Sequence, residues 1–229
     1  MSVPAREGTI VVYTDVACAW STVAIVRLLR ARDELGLDVR LDHRLFLLED
    51  VNRVPIPKRF LDSEIPVAGA LEPDFGWTTW QGDPSDWPVT TLPANEAVHA
   101  AKRQSMRAAE ELDLALRRAL FRDSRCVSLH HEILDIARGC AHVDAGALAA
   151  SLDDGRARGE MMRDYRANRE LVQGSPHLFL PDGHDVHNPG IELHWVGEQG
   201  AGFPVVDRDE PGVFADLVKR AAKDGGAFR

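Results

Sequence analysis

The residues best suited to chemistry lie near the N-terminus, in Asp15-Val16-Ala17-Cys18-Ala19-Trp20-Ser21. Cys18 falls between a short β-branched run at residues 9–14 and a helical pattern over residues 20 to about 35. A helix start offers unpaired N–H groups and the positive end of the helix dipole, which favour a thiolate over a thiol. The thiolate is the species that attacks disulfides. Ser21 follows one helical turn later, where its hydroxyl can donate to that thiolate but cannot form the second half of a disulfide. The other cysteines, Cys126 and Cys140, sit next to predicted helix ends and read as structural. Three cysteines are too few, and too odd in number, for a disulfide framework.

The elements that must position Cys18 follow from periodicity. Thr9-Ile10-Val11-Val12-Tyr13-Thr14 is almost uncharged, as a strand buried on both faces would be. The next helix carries Ala24, Leu28, Ala31 and Leu35 on one face, with Arg27, Arg30 and Glu34 opposite, and Gly36 ends it. Residues 39–47 predict a second strand, which completes a right-handed βαβ unit with parallel strands.

Residues 49–92 hold six of the 13 prolines and three of the five tryptophans, Trp77, Trp80 and Trp87. Prolines at this density argue against long helices. The expectation is an ordered loop that covers something. From residue 91 to about 170 the pattern is helical, with a start at Thr91-Leu92-Pro93 and further helices over 129–138, 144–152 and 156–170. The basic residues Lys102, Arg103, Arg107, Arg117, Arg118, Arg122 and Arg125 are interleaved with Glu110, Glu111 and Asp113, and read as a solvated helix surface. A strand is expected at 176–180, a second within 185–196 or 203–206, and a last helix between Pro211 and Gly225.

With 229 residues and 45% hydrophobic content, the chain suits one large domain or a core with a sizeable insertion. A formal net charge of −9 argues against a nucleic-acid partner. No apolar run is long enough to span a membrane, and residues 1–8 lack the pattern of a signal peptide, so a cytoplasmic location is expected. The basic residues are 23 Arg and only 4 Lys, a bias that suits a GC-rich bacterial genome. His184, His187 and His194 fit no tetrahedral zinc spacing with cysteine, and no metal is expected.

The segment around Cys18 resembles the active-site segment of DsbA-like proteins, commonly Asp-x-x-Cys-Pro-Trp-Cys. Downstream, Val172-Gln173-Gly174-Ser175-Pro176-His177-Leu178-Phe179 is similar to that family's Val-x-Gly-x-Pro-x-x-Phe segment. The resemblance runs from Ile10 to about residue 222. It implies an α/β, thioredoxin-like fold (βαβ…ββα) with an all-helical insertion subdomain. Residues 8–92 and 171–224 would form the first unit and 93–170 the second.

By this resemblance Cys18 is the nucleophile, Pro176 a cis-proline facing it, and Ser175 a source of backbone groups for an extended substrate. Trp20 is either a wall of the site or core, and His177 is a candidate for biasing the thiolate. Ala19 and Ser21 depart from the family pattern. With Ser21 in place of the second cysteine, a monothiol cycle is implied, with a small thiol such as glutathione as cosubstrate and no resident cofactor. The alternatives are a thiol-dependent transferase or isomerase, as in kappa-class glutathione transferases and 2-hydroxychromene-2-carboxylate isomerases, and a binding module without catalysis. Self-association into a homodimer stays open.

Overall fold

The computed structural model describes residues 2–222. The central strand, β1 (Thr9–Thr14), is buried along almost its whole length. Its alternate side chains feed two cores. Ile10 and Val12 meet Ala24, Leu28 and Leu41, whereas Val11 and Tyr13 meet Phe46, Val172 and Phe179. Helix α1 (Ala19–Leu35) follows and ends at Gly36, whose φ of 62° is one that glycine adopts without the Cβ penalty. Strand β2 (Arg40–Leu45) pairs with β1 in parallel, from Thr9 opposite Arg40 to Thr14 opposite Leu45.

Strand β3 (His177–Phe179) joins the other edge of β1 in antiparallel register, with Leu178 opposite Val12. Strand β4 (Asp185–His187) completes a sheet ordered β2-β1-β3-β4. Two more strands, β5 (Ile191–Val196) and β6 (Phe203–Asp209), form a separate antiparallel hairpin. The sequence promised one strand in this region, and the structure has three. They were hidden because the hairpin exposes most of its side chains and so shows little apolar alternation. The C-terminal helix Val213–Ala221 packs on α1 with Phe214, Leu217 and Val218. Gly225, expected just past it, and the expected domain limit at 224 lie outside the described residues.

The segment 49–92 is not simply a loop. It contains α2 (Leu48–Asn52) and the 14-residue α3 (Lys58–Leu71), with Pro66 inside the latter. An interior proline forfeits a backbone bond and costs about 3 kcal/mol. Burial of Leu61, Ile65 and Ala68 against the helical core offsets that cost, a tertiary effect that local propensity does not register. The tryptophans serve packing. Trp77 lies against Phe75 and Phe121, and Trp80 stands edge-on to Trp87 at 5.2 Å.

The helical block is α4 (Leu92–Lys102), α5 (Met106–Phe121), α6 (His130–Arg138), α7 (Ala145–Asp153) and α8 (Arg156–Asn168). The run of helical spacing from Ala94 to Leu120 is interrupted between α4 and α5. There Ser105 caps α5 by accepting the Ala108 N–H at 2.9 Å. The final helix is α9 (Val213–Ala221). Among the described residues no helix is long and apolar enough to cross a membrane.

Candidate functional site

Cys18 is the N-cap residue of α1, with extended backbone (φ −83°, ψ 114°). Its Sγ accepts the Ser21 backbone N–H at 3.4 Å, one of the orphan donors of the first turn. The thiol also meets the Ser175 carbonyl oxygen at 3.2 Å. The Ser175–Pro176 peptide bond is cis. Cys18, Trp20 and Ser175 all line a cavity of about 1140 Å3, whose other walls come from α3 and the β5–β6 hairpin.

Asp15 shapes the turn that presents the cysteine. It is fully buried. One carboxylate oxygen accepts the Ala17 N–H and the Asn95 amide, and the other accepts the Thr91 hydroxyl and the Leu48 N–H. Asn95 in turn accepts the Val16 N–H at 3.1 Å, and the Ser175 hydroxyl accepts the Asp15 N–H at 3.1 Å. Thr91 was expected to cap α4, but its hydroxyl is committed to Asp15 instead.

Ser21 has more partners than its spacing suggests. Its hydroxyl donates to the carbonyls of Asp15 and Cys18 and accepts from Arg117 Nη1 at 2.8 Å, and it still acts on the thiol in the lowering direction. Arg117 was expected on a solvated helix face. It is fully buried, forked onto Asp113 at 2.7 and 3.1 Å, and donates further to the Asp15 carbonyl, Thr22 and Thr14. A buried guanidinium is tolerated only with a carboxylate and a full set of acceptors, and the Cys18 turn supplies those acceptors. The one sequence signal was the pairing of Asp113 with Arg117 four residues apart, within the apolar register of Leu112, Leu116 and Leu120.

His177 also departs from expectation. It is buried in β3, with Nδ1 taking the Gln173 N–H at 3.1 Å and Nε2 2.9 Å from Asp185. It does not line the cavity. His187, not His177, lines the wall. A Cβ on Gly174 would lie 2.4 Å from His187 Nε2, so the residue before Ser175 has to be glycine for the ring to sit there.

Trp20 is both wall and core. It is 8% exposed and donates its indole N–H to Glu64 Oε1 at 2.6 Å. Glu64, on α3, also lines the cavity, and burial raises its pKa from 4.5 to about 8. It escaped the sequence reading because the surrounding prolines hid the helix that carries it. Cys18 itself is only 5% exposed. Burial first, and the Glu64 carboxyl second, push its thiol above the ordinary value, against the contacts with Ser175 and Ser21. The expected lowering by the helix start is therefore outweighed by desolvation. Neither Cys126 nor Cys140 lines the cavity, and burial pushes the Cys140 thiol up to about 11.

Solved structures share this fold. A probable DsbA oxidoreductase from Streptomyces coelicolor superimposes with a TM-score of 0.64 at 21% identity, over 93% of this chain and 89% of the other. A 2-hydroxychromene-2-carboxylate isomerase gives 0.58 at 16%, over 78% and 87%. The cytosolic disulfide reductase DsbM from Pseudomonas aeruginosa gives 0.53 at 18%, over 93% and 94%. At such identities the likeness is one of fold. No curated protein sequence matches the chain. The family model for the DSBA-like thioredoxin domain matches residues 9–200, so the chain belongs to the DSBA-like thioredoxin family.

Proposed function

We propose that the protein is a monothiol thiol–disulfide oxidoreductase that reduces small or mixed disulfides through Cys18. The observation that carries this reading is the position of the Cys18 sulfur. It is held by the Ser21 N–H, opposite the Ser175 carbonyl, in the wall of a cavity large enough for a small substrate. The Cys18 thiolate attacks one sulfur of R–S–S–R. An Sγ–S bond forms, the R–S⁻ group leaves and takes up a proton, and Cys18 becomes a mixed disulfide. A second thiol then attacks that mixed disulfide, releases Cys18 and carries the R–S group away as a new disulfide. Ser175 backbone groups dock the substrate by strand-like pairing, and Trp20 forms the wall beside it.

The raised thiol pKa supports the reducing direction. Dithiol oxidants draw their power from a stabilised thiolate. A buried, destabilised thiolate instead favours the form in which sulfur is bonded to sulfur. The cytoplasm, where small thiols are abundant, suits such a cycle, and the fold is shared with a cytosolic reductase.

The test is intact-mass analysis after incubation with small disulfides, alongside reductase assays with a second thiol. A Cys18→Ala variant is expected to lose both adduct and turnover. Full turnover by that variant defeats the proposal.

A second reading draws on the size of the cavity, which has room for a thiol and a small organic substrate together. In that case the bound thiol is a cofactor for isomerisation or transfer and Cys18 polarises its sulfur. Calorimetric binding of a thiol without adduct formation at Cys18 would select this reading over the first.

A further inference from the structure

The wall of the cavity beside Cys18 carries a lopsided set of charges. Among the described residues that line it, the charged side chains are Glu192, Glu198, Glu210 and Arg208; Glu64 also lines it but, with its pKa raised to about 8, holds a proton at neutral pH and adds no charge there. Arg208 is already shared between two of these acids, at 3.1 Å from Glu192 and 2.5 Å from Glu210. Glu198 has no ion pair among the described residues. Arg59 reaches the hairpin at the Ala201 carbonyl, but does not itself line the wall.

The same wall holds an aromatic pair. Phe60 from α3 and Trp195 from β5 lie 5.1 Å apart, and both line the cavity. Aromatic faces beside carboxylates favour an ammonium group, by the ring quadrupole and by direct charge attraction. A cavity of about 1140 Å3 is on the order of 10 Å across, about one Debye length at physiological salt, so wall charges act on everything that enters. A cleft lined by one sign of charge raises the local concentration of the opposite sign.

We infer that the Cys18 cavity selects disulfides and thiols that carry a positive charge, an ammonium group near the sulfur, over anionic ones such as glutathione. This inference rests on the disulfide-exchange reading above and names its substrate class. The chemistry of the step is unchanged. Cys18 is oxidised to a mixed disulfide with one half of the substrate, and the other half leaves reduced and protonated.

The experiment measures the rate of adduct formation at Cys18 with three probes, using the full chain. These are cystamine (two positive charges), bis(2-hydroxyethyl) disulfide (neutral) and glutathione disulfide (negative). Each rate is divided by that of the same probe with a small neutral thiol, which removes intrinsic reactivity. The corrected rates should fall from cystamine to glutathione disulfide by about tenfold or more. The spread should shrink at high salt, and the cystamine-to-neutral ratio should drop severalfold in Glu198→Gln. Equal corrected rates, or a preference for glutathione disulfide, overturn the charge selection and leave the oxidoreductase reading intact. Reaction with none of the three overturns the oxidoreductase reading, and the selection falls with it.

Discussion

The guanidinium of Arg117 donates to the Ser21 hydroxyl at 2.8 Å. The serine one helical turn after Cys18 is thereby tied to a buried cation on α5, 96 residues away in sequence. Its hydroxyl also donates to the carbonyls of Asp15 and Cys18, and so helps to hold the turn that carries the sulfur. The pairing of a serine with a fully buried arginine makes the cysteine's setting depend on the helical block as much as on the thioredoxin-like sheet.

Arg117→Ala should destabilise the protein by about 3–5 kcal/mol, because it leaves Asp113 buried without its partner. Urea denaturation measures this directly. The Asp113→Ala, Arg117→Ala double variant should lose less than the sum of the two singles. A single variant within about 0.5 kcal/mol of the parent would show that the clamp contributes nothing to stability.

Ser21→Ala should cost about 1–3 kcal/mol by stripping an acceptor from the buried guanidinium. The rate of Cys18 with a neutral disulfide should stay within a few-fold, since the Ser21 backbone N–H to the sulfur remains and the hydroxyl's own lowering effect on the thiol is the smaller of the two. The opposite pattern, intact stability with reactivity abolished, would restore a direct catalytic role to the hydroxyl.

Glu64 gives the stability a pH dependence of definite sign. Its folded pKa of about 8 stands above the ordinary 4.5, so the native chain holds a proton that the unfolded chain gives up. That contribution is complete below about pH 4.5 and drains away as the pH climbs to about 8, with a total on the order of a few kcal/mol. Glu64→Gln keeps an acceptor for the Trp20 indole and should flatten this part of the pH–stability curve. A parent and variant with parallel curves between pH 5 and 8 would remove the argument.

Alkylation of Cys18 should keep accelerating beyond the pH at which a free cysteine levels off, because burial and the Glu64 carboxyl both raise its thiol pKa. Glu64→Gln should move the profile toward lower pH, since a charge that opposes the thiolate is gone. Iodoacetamide kinetics followed by intact mass would read this. A midpoint at or below that of a free thiol would mean that the helix start wins over desolvation.

Gly174→Ala should disturb the cavity through His187, whose Nε2 occupies the space of the new methyl group. Overpacking of this kind costs about 1–3 kcal/mol. Adduct formation with bis(2-hydroxyethyl) disulfide should slow as the ring is displaced, and a His187→Ala background should relieve the stability loss. An unchanged melt and an unchanged rate would place the ring elsewhere.

Much of the frame was legible from residue order. The short, uncharged β-branched run of β1, the apolar stripe of α1 and the glycine after it placed Cys18 at a strand-to-helix junction. The two motifs, 157 residues apart at Cys18 and Ser175, do meet in space. The helix α3 was not legible, because Pro66 and its neighbours oppose it locally and only its packing permits it. Arg117 read as surface because an acid and a base four residues apart describe an exposed ion pair equally well.

The sequence by itself determined where the Cys18 sulfur sits along the chain and that Ser21, not a second cysteine, stands one turn away. It determined β1, α1, β2 and most of the later helices, since periodicity spans only a few residues and needs no distant partner, but not α3 or the β5–β6 hairpin. The tertiary structure alone decided the chemistry around that sulfur. Glu64, Arg117 and Ser175 reach Cys18 and its turn from 46, 99 and 157 residues away, through the folding of α3, α5 and the segment before β3. Whether a thiol is activated or suppressed depends on how much water those neighbours exclude, and that is a property of the packed surroundings that no local pattern encodes.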